Sequence, residues 1–213
     1  MPRVMRPRVL LVDDHAVVRL GVRAILEDHF PAVTIVEADT GEAALNELSA
    51  GFDIIVLDLS MPGRNGIDLL AELRHRVPKV PVLILSLHGE EQYAVRALRA
   101  GAAGYLMKAA APEQLVEAVS KVLHGERYIS EAVAQRLAAD LGRAAVGAPH
   151  ERLSDREFDV MRGIASGSSV SEIAVSMRLS VKTVSTYRSR LLDKMGMATN
   201  AELTRYAIER GLV

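Results

Sequence analysis

The sequence predicts an α/β doubly wound domain, a five-stranded parallel sheet between helices, followed by a small all-α domain of four helices. Three observations carry this expectation. From residue 8 to about 124, short apolar runs alternate with amphipathic stretches, the βα repetition that builds a parallel sheet. Those runs are continuous Val, Ile and Leu rather than alternating, as strands buried on both faces must be. After about Gly125 the repetition stops, and from about 151 every periodic segment is helical.

Taken in order, strands are expected near 8–13, 33–37, 53–58, 81–86 and 104–107, and helices near 15–29, 41–50, 66–76, 89–100 and 112–124. Gly101, after Leu98-Arg-Ala100, is placed to end the fourth helix, and Pro112 suits the first turn of the fifth, where its missing N–H costs nothing. Ala111 lacks the side-chain oxygen wanted at an N-cap, so that helix start should be weakly capped. Ser130 to Leu141 can form one amphipathic helix, within a linker at 125–150 that closes on the small, Gly- and Pro-flanked stretch Gly142-Arg-Ala-Ala-Val-Gly-Ala-Pro149. The domains are therefore expected at 1–124 and 151–213. There is no internal repeat.

The last four helices are expected near 154–166, 170–177, 181–195 and 199–210. Ser154-Asp-Arg-Glu157 and Thr199-Asn-Ala-Glu202 read as capping boxes, in which hydroxyl and carboxylate satisfy orphan N–H groups, and Ser180 caps the run from Val181. Gly196 and Gly211 stand where helices should stop. The second and third of these helices are joined by only a few residues, which is helix-turn-helix geometry.

Composition narrows the classes of function. A chain of 213 residues with 49% hydrophobic content is ordinary for a globular protein. The absence of cysteine excludes a disulfide scaffold, a Cys-ligated zinc site and thiol catalysis. Arg3, Arg6 and Arg8 precede an apolar stretch, but Asp13 and Asp14 interrupt it too early for a signal-peptide core or a membrane span, so no membrane association and a cytoplasmic location are expected. The net charge of −1 conceals a concentration of positive charge: between Val181 and Met195 lie Lys182, Arg188, Arg190 and Lys194 against the single acid Asp193.

The chemistry-bearing residues fall at strand ends. Asp13 and Asp14 follow Arg8-Val-Leu-Leu-Val12, Asp58 follows Ile54-Ile-Val-Leu57, Ser86 ends Val82-Leu-Ile-Leu85, and Lys108 ends Tyr105-Leu-Met107. In open α/β sheets, ligands collect outside the carboxyl ends of the strands. Each Asp taken singly could merely end a strand or cap a helix. Three converging carboxylates repel unless a hard cation shares them, and Mg²⁺ typically takes one or two carboxylates plus phosphate oxygens. A hydroxyl and an ammonium on two further strand ends complete a phosphate cradle.

These five positions resemble, in order and spacing, the receiver domain of bacterial two-component response regulators, a flavodoxin-like fold, and the resemblance covers roughly residues 6 to 124. It implies that Asp58 is the phosphoacceptor, a carboxylate nucleophile forming an aspartyl-phosphate. It further implies that Asp14 ligates Mg²⁺ directly, that Asp13 holds it largely through water, and that the Ser60 backbone carbonyl completes the protein's share. Ser86 would hydrogen-bond the phosphoryl oxygens and Lys108 would pair with their charge. Met61-Pro-Gly63 and Gly66 match the family's loop after the phosphoacceptor. Tyr105 aligns with the aromatic that moves inward with phosphorylation as the Ser86 hydroxyl shifts; on its own residues it reads equally as a half-buried strand aromatic. His88 sits where members vary in dephosphorylation.

In the helical half, Val184, Leu191 and Met195 share the core side of the third helix by spacing, leaving Lys182, Thr183, Ser185, Thr186, Arg188 and Ser189 on or near the other. Short hydroxyl side chains let a helix sit deep in a major groove while flanking cations reach phosphates. Leu153-Ser-Asp-Arg-Glu-Phe158, Glu172-Ile-Ala174, Ser180-Val-Lys-Thr-Val184 and Lys194-Met-Gly196 are similar to the LuxR-type helix-turn-helix of the NarL/FixJ family. Thr183-Val-Ser-Thr-Tyr-Arg188 is similar to regulators of the BvgA and EvgA kind, with Tyr187 in place of the more usual His. The resemblance implies base contacts from Ser185, Thr186 and Ser189 and backbone contacts from Lys182, Arg188 and Arg190. Arg178 stands where the family usually has Gly or another small residue.

Together the resemblances imply a phosphorylation-dependent transcription regulator rather than an enzyme. The implied partners are a sensor histidine kinase, a pseudo-palindromic DNA operator, a second copy of the chain joined through the helix at 199–210 after phosphorylation, and RNA polymerase as a candidate. In the family the unphosphorylated receiver often packs on the DNA-binding domain. Two other classes fit the residues less well. A haloacid-dehalogenase-type phosphohydrolase needs a second Asp two residues after its nucleophile on the first strand, and Asp13-Asp14-His15 does not offer it. A constitutive DNA-binding protein would be expected to have lost part of the set Asp13, Asp14, Asp58, Ser86 and Lys108.

Overall fold

A computed structural model of the chain describes residues 6–61, 66–87, 91–131, 133–135, 148–177 and 179–213. The chain divides into two compact units, Met1–Arg143 and Ala144–Val213. The expectations placed on Pro62, Gly63, His88 and Arg178, and most of the helix expected at 130–141, lie outside the described residues.

In the first unit the elements are β1 Arg8–Val12, α1 Ala16–His29, β2 Thr34–Ala38, α2 Gly41–Glu47, β3 Ile54–Leu57, α3 Gly66–Arg76, β4 Val82–Ser86, α4 Glu91–Arg99, β5 Gly104–Met107 and α5 Pro112–Leu123. The expected run to residue 50 after Gly41 is split, since a 3₁₀ turn, Leu48–Ala50, replaces the last turn of α2. All strands pair in parallel, in the order β2-β1-β3-β4-β5. The central strands are sealed on both faces: Val9 to Val12, Ile54 to Leu57 and Val82 to Ile84 have no exposed surface. Burying each such side chain contributes about 1.5–3 kcal/mol, which is why uninterrupted apolar runs end up in the middle of the sheet.

Register sets up the site. Val12 pairs with Leu57, and the Asp58 N–H donates to the Val12 carbonyl at 2.8 Å, so Asp13 and Asp58 leave adjacent strands side by side. Ser86 pairs with Met107, and the Lys108 N–H donates to the Ser86 carbonyl at 2.7 Å. The strand order reverses at β1, the switch point where open α/β sheets form their binding crevice.

Two local features go beyond the sequence reading. Ala111 makes no side-chain cap, as expected, but the Gln114 side chain accepts from the Ala111 N–H at 3.1 Å and supplies half of a capping box. Beyond α5 the chain returns along β5: the Tyr105 N–H donates to the Tyr128 carbonyl and the Tyr128 N–H to the Ala103 carbonyl, both at 3.1 Å. This parallel bridge covers the sheet edge. It requires glycine at 104, where a Cβ would lie 2.9 Å from the Tyr128 carbonyl oxygen and from Leu83 Cδ1.

The second unit holds α6 Asp155–Ala165, α7 Val170–Ser176, α8 Val181–Met195 and α9 Asn200–Glu209, after a 3₁₀ turn at Pro149–Arg152. Both expected capping boxes form, Ser154 with Glu157 and Thr199 with Glu202, and a third joins Ser169 with Glu172. Each cap contributes about 1 kcal/mol, enough to matter in helices this short. Phe158, Met161, Ile173, Val184, Leu191, Met195 and Leu203 form the buried interior, in agreement with the spacing argument for α8. Among the described residues no helix is long and apolar enough to cross a membrane.

Candidate functional site

The acids gather at the carboxyl edge of the sheet. Ligand atoms of Asp13, Asp14, His15 and Asp58 all lie within 4.8 Å of one another. Asp13 and Asp58 are each 1% exposed, and the Asp14 side chain is partly buried. Asp58 Oδ1 accepts from the Ser60 N–H at 2.9 Å, while Oδ2 accepts from Lys108 Nζ at 2.7 Å. The same ammonium lies 2.7 Å from Asp13 Oδ2, an ion contact without the angle of a hydrogen bond. Asp13 Oδ1 accepts from the His15 N–H at 2.8 Å, and His15 Nδ1 lies 2.9 Å from Asp14 Oδ1.

Among the described residues, the site is short of positive charge. Burial is the largest influence on Asp58 and pushes its pKa above the ordinary carboxylate value, with the nearby Asp13 adding to the rise. The Lys108 ammonium and the Ser60 N–H pull it down without overcoming burial. One ammonium thus serves two deeply buried carboxylates, beside a third. The three carboxylates of the cluster supply hard oxygen donors, which suit a hard divalent cation.

The remaining expected residues lie on β4, on β5 and just after it. Ser86 is fully buried at the end of β4. Tyr105 is buried in β5, paired with Ile84. Lys108 has its side chain 4% exposed, so its charge is committed to the acids.

In the second unit α8 presents the expected polar face. Lys182, Ser185, Thr186, Ser189 and Arg190 are exposed, and Thr183 and Arg188 are partly buried. The hydroxyls turn back onto their own helix: Ser185 donates to the Val181 carbonyl at 2.8 Å, Thr186 to the Lys182 carbonyl at 3.0 Å and Ser189 to the Ser185 carbonyl at 3.2 Å. Each keeps lone pairs free to accept from a base edge. Thr183 also has a local partner, its N–H and Oγ1 both engaging the N-cap Ser180, at 3.1 and 2.8 Å. Arg188 is held as well, donating from Nε to Asn200 Oδ1 at 2.7 Å.

Comparison with known proteins accounts for both units. Residues 9–120 match the response regulator receiver domain, and residues 151–207 match the bacterial regulatory proteins of the luxR family. The chain belongs to the two-component response regulators with a LuxR-type DNA-binding domain. The regulator is 39% identical over 206 residues to the response regulator UvrY of Escherichia coli, covering 96% of this chain and 94% of that one. It is 35% identical over 210 residues to the response regulator GacA of Pseudomonas aeruginosa, covering 97% of each. Among solved structures, RcsB of Salmonella enterica serovar Typhimurium, bound to promoter DNA in the presence of phosphomimetic beryllofluoride, resembles it with a TM-score of 0.58 and 28% identity, covering 95% of this chain and 98% of that one.

Three residues at the regulator's sites escaped the sequence reading. His15 joins the acids, and its place directly after Asp13-Asp14 was the available signal. Arg19 binds the Asp13 carbonyl at 2.6 Å, a contact with no sequence mark beyond helical spacing. Asn200 reaches Arg188 across twelve residues, and only the packing of α8 beside α9 reveals it.

Proposed function

We propose that this response regulator takes a phosphoryl group onto Asp58 from a sensor histidine kinase and, so modified, binds a pseudo-palindromic operator as a homodimer. The reading assigns residues 1–124 to the receiver, 125–150 to a linker and 151–213 to DNA binding. The observation that carries it is Lys108 Nζ standing 2.7 Å from both the Asp13 and the Asp58 carboxylates at the switch point of the sheet. An ammonium already poised on the acceptor oxygen can follow the charge that phosphorylation adds.

In the transfer, an Asp58 oxygen forms a bond to phosphorus as the donor's P–N bond breaks, and the leaving imidazole nitrogen keeps the electron pair and takes up a proton. Little covalent chemistry is asked of the chain beyond that oxygen, because phosphoryl transfer is mostly positioning and charge stabilisation. Asp13, Asp14, Asp58 and the Ser60 carbonyl would hold Mg²⁺, whose contribution when bound is to neutralise charge on the phosphoryl oxygens. Ser86 hydrogen-bonds the phosphoryl group, and Lys108 pairs with it. Drawing Ser86 and Lys108 toward the new charge, with Tyr105 following, biases a two-state receiver surface.

At the DNA, Ser185, Thr186 and Ser189 face bases, Lys182, Arg188 and Arg190 face phosphates, and Thr183, at the start of the same helix, completes the contact surface. The solved RcsB complex with promoter DNA and beryllofluoride supports DNA binding by the phosphorylated form. RNA polymerase is a candidate further partner, and the cytoplasm, where kinase and DNA are both accessible, is the proposed location. The test of the phosphoacceptor is Asp58→Ala incubated with Mg²⁺ and a small phosphodonor: the variant should gain no phosphate mass, and one that does removes Asp58 from the role. The test of the switch is selection of DNA from a random pool with and without beryllofluoride. Paired half-sites should be recovered much better with it, and equal recovery would leave DNA recognition standing without receiver control.

A further inference from the structure

We propose that Arg19 is a positioning residue for the acidic pocket, holding the Asp13 peptide so that the Asp13 and Asp14 carboxylates converge on a divalent cation. The inference rests on the reading of residues 13, 14 and 58 as a Mg²⁺ site. Arg19, in the first turn of α1, donates from Nη1 to the Asp13 carbonyl at 2.6 Å and from Nε to Glu37 Oε2 at 3.0 Å. Glu37 is itself fixed: it lies in β2 opposite Leu11, and Arg23, one turn further along α1, donates from Nε to its Oε1 at 2.7 Å. A chain of charge-assisted hydrogen bonds thus runs from the edge strand β2 through the guanidinium to the loop that carries the acids.

What is held is a peptide plane. The Asp13 N–H donates to the Ala38 carbonyl at 3.1 Å, so β2 fixes one side of Asp13 and Arg19 fixes the other. The Asp13 carbonyl and the Asp14 N–H share one rigid amide, so fixing that oxygen sets the direction in which the Asp14 Cα and carboxylate leave the loop. The turn needs the help, because α1 begins at an N-cap, His15, whose side chain makes no cap. Arg19 is only 17% exposed and Glu37 27%, so water competes weakly for these bonds. Arginine suits the task better than lysine, whose ammonium cannot present two donors along fixed, diverging directions to a carbonyl and a carboxylate at once.

The experiment is an NMR titration of the full chain with MgCl₂, following the amide signals of Asp13, Asp14 and Ser60 in the wild type, Arg19→Met, Arg19→Lys and Glu37→Gln, with thermal midpoints measured in EDTA. Losing a group that orients metal ligands typically weakens metal binding by 10–100-fold, so Arg19→Met should raise the Mg²⁺ midpoint by about tenfold. Arg19→Lys should recover part of that, and Glu37→Gln, which keeps the bond to Asp13 but loosens its brace, should show a smaller rise. A merely structural role would lower the thermal midpoint and leave the Mg²⁺ midpoint unmoved, and that result overturns the inference. Should Arg19→Met fail to fold, an unchanged Mg²⁺ midpoint in Glu37→Gln overturns it equally. A wild type whose site amides ignore MgCl₂ would instead sink the Mg²⁺ reading on which the inference stands.

Discussion

Arg188 Nε donates a 2.7 Å hydrogen bond to Asn200 Oδ1, tying the exposed face of α8 to the first turn of α9. The guanidinium is therefore oriented before any DNA arrives, which spares part of the entropy that a free arginine loses on binding. Replacing Lys182 or Arg188 by Ala should weaken binding to all sequences alike and lower the salt slope by about 1 for each phosphate that is no longer neutralised. Asn200→Ala removes no charge, so it should weaken binding by about 1 kcal/mol, the ordering cost of one long side chain that the bond otherwise spares, while the slope stays the same. Fluorescence titrations at several salt concentrations separate the cases. An unchanged slope in Arg188→Ala would refute phosphate contact at that residue.

Asp58 gives a stability prediction whose sign follows from burial. Its folded-state pKa is raised above the ordinary value of 3.8, chiefly by desolvation. Such a group favours the folded state fully below 3.8 and loses that contribution as pH rises through the raised folded value. At neutral pH the ionised Asp58 works against the fold, and Asp58→Asn, which can still accept from the Ser60 N–H, should raise the thermal midpoint in EDTA by a few degrees. Added Mg²⁺ should then stabilise the wild type more than the variant, since a ligand stabilises only the form that binds it. Calorimetry with and without the metal reads both effects, and a lower midpoint for Asp58→Asn in EDTA would mean that the Lys108 contact outweighs burial.

Gly66 makes a steric prediction next to the same residue. A Cβ there would lie 2.5 Å from both the Cα and the carbonyl oxygen of Leu59, which is backbone and cannot swing aside. Gly66→Ala should destabilise the first unit by at least about 1–3 kcal/mol, the usual cost of overpacking. Because Leu59 sits between Asp58 and Ser60, the displacement should also slow phosphate uptake from a small phosphodonor. Urea denaturation and the rate of mass gain test the two consequences, and a variant normal in both would show that the α3 start can shift freely.

The main architecture was legible in the sequence because its cause is local. Val9 to Val12 and Ile54 to Leu57 are apolar at every position, and only a strand covered on both faces uses such a run, so the acids that follow had to emerge at one sheet edge. Two capping boxes were legible for the same reason, since Ser154 and Glu157, like Thr199 and Glu202, are three residues apart. What escaped depends on side chains meeting across the fold. Arg19 and Glu37 lie eighteen residues apart, and their pairing follows from the β1–β2 register. One local pairing escaped as well, that of Thr183 with Ser180 three residues before it. Tyr128 lies beyond the last βα repeat, so nothing in the periodicity marks it as closing the sheet edge.

Glu157 carries the pH response of the second unit. It is 3% exposed, accepts from the Ser154 N–H at 2.8 Å and from Lys194 Nζ at 2.7 Å, and so joins the start of α6 to the end of α8. Burial, the largest single influence, would raise its pKa, but Lys194 and Ser154 together outweigh it and leave the value lowered. A carboxylate depressed in the folded state contributes stability that is full above its unfolded value, here 4.5, and is lost as pH falls through the lower folded value. Glu157→Gln keeps the shape but not the charge. Because Lys194 is 43% exposed and partly screened, the expected loss at neutral pH is about 1–2 kcal/mol, toward the lower end for hydrogen bonds to charged groups. Urea titrations of the full chain, followed through the amide signals of Val184 and Leu191, should show wild type and variant well separated at neutral pH and converging once the pH has fallen through the folded value. Parallel curves that keep their separation into acid would mean that Glu157 stabilises the unit by packing rather than by charge.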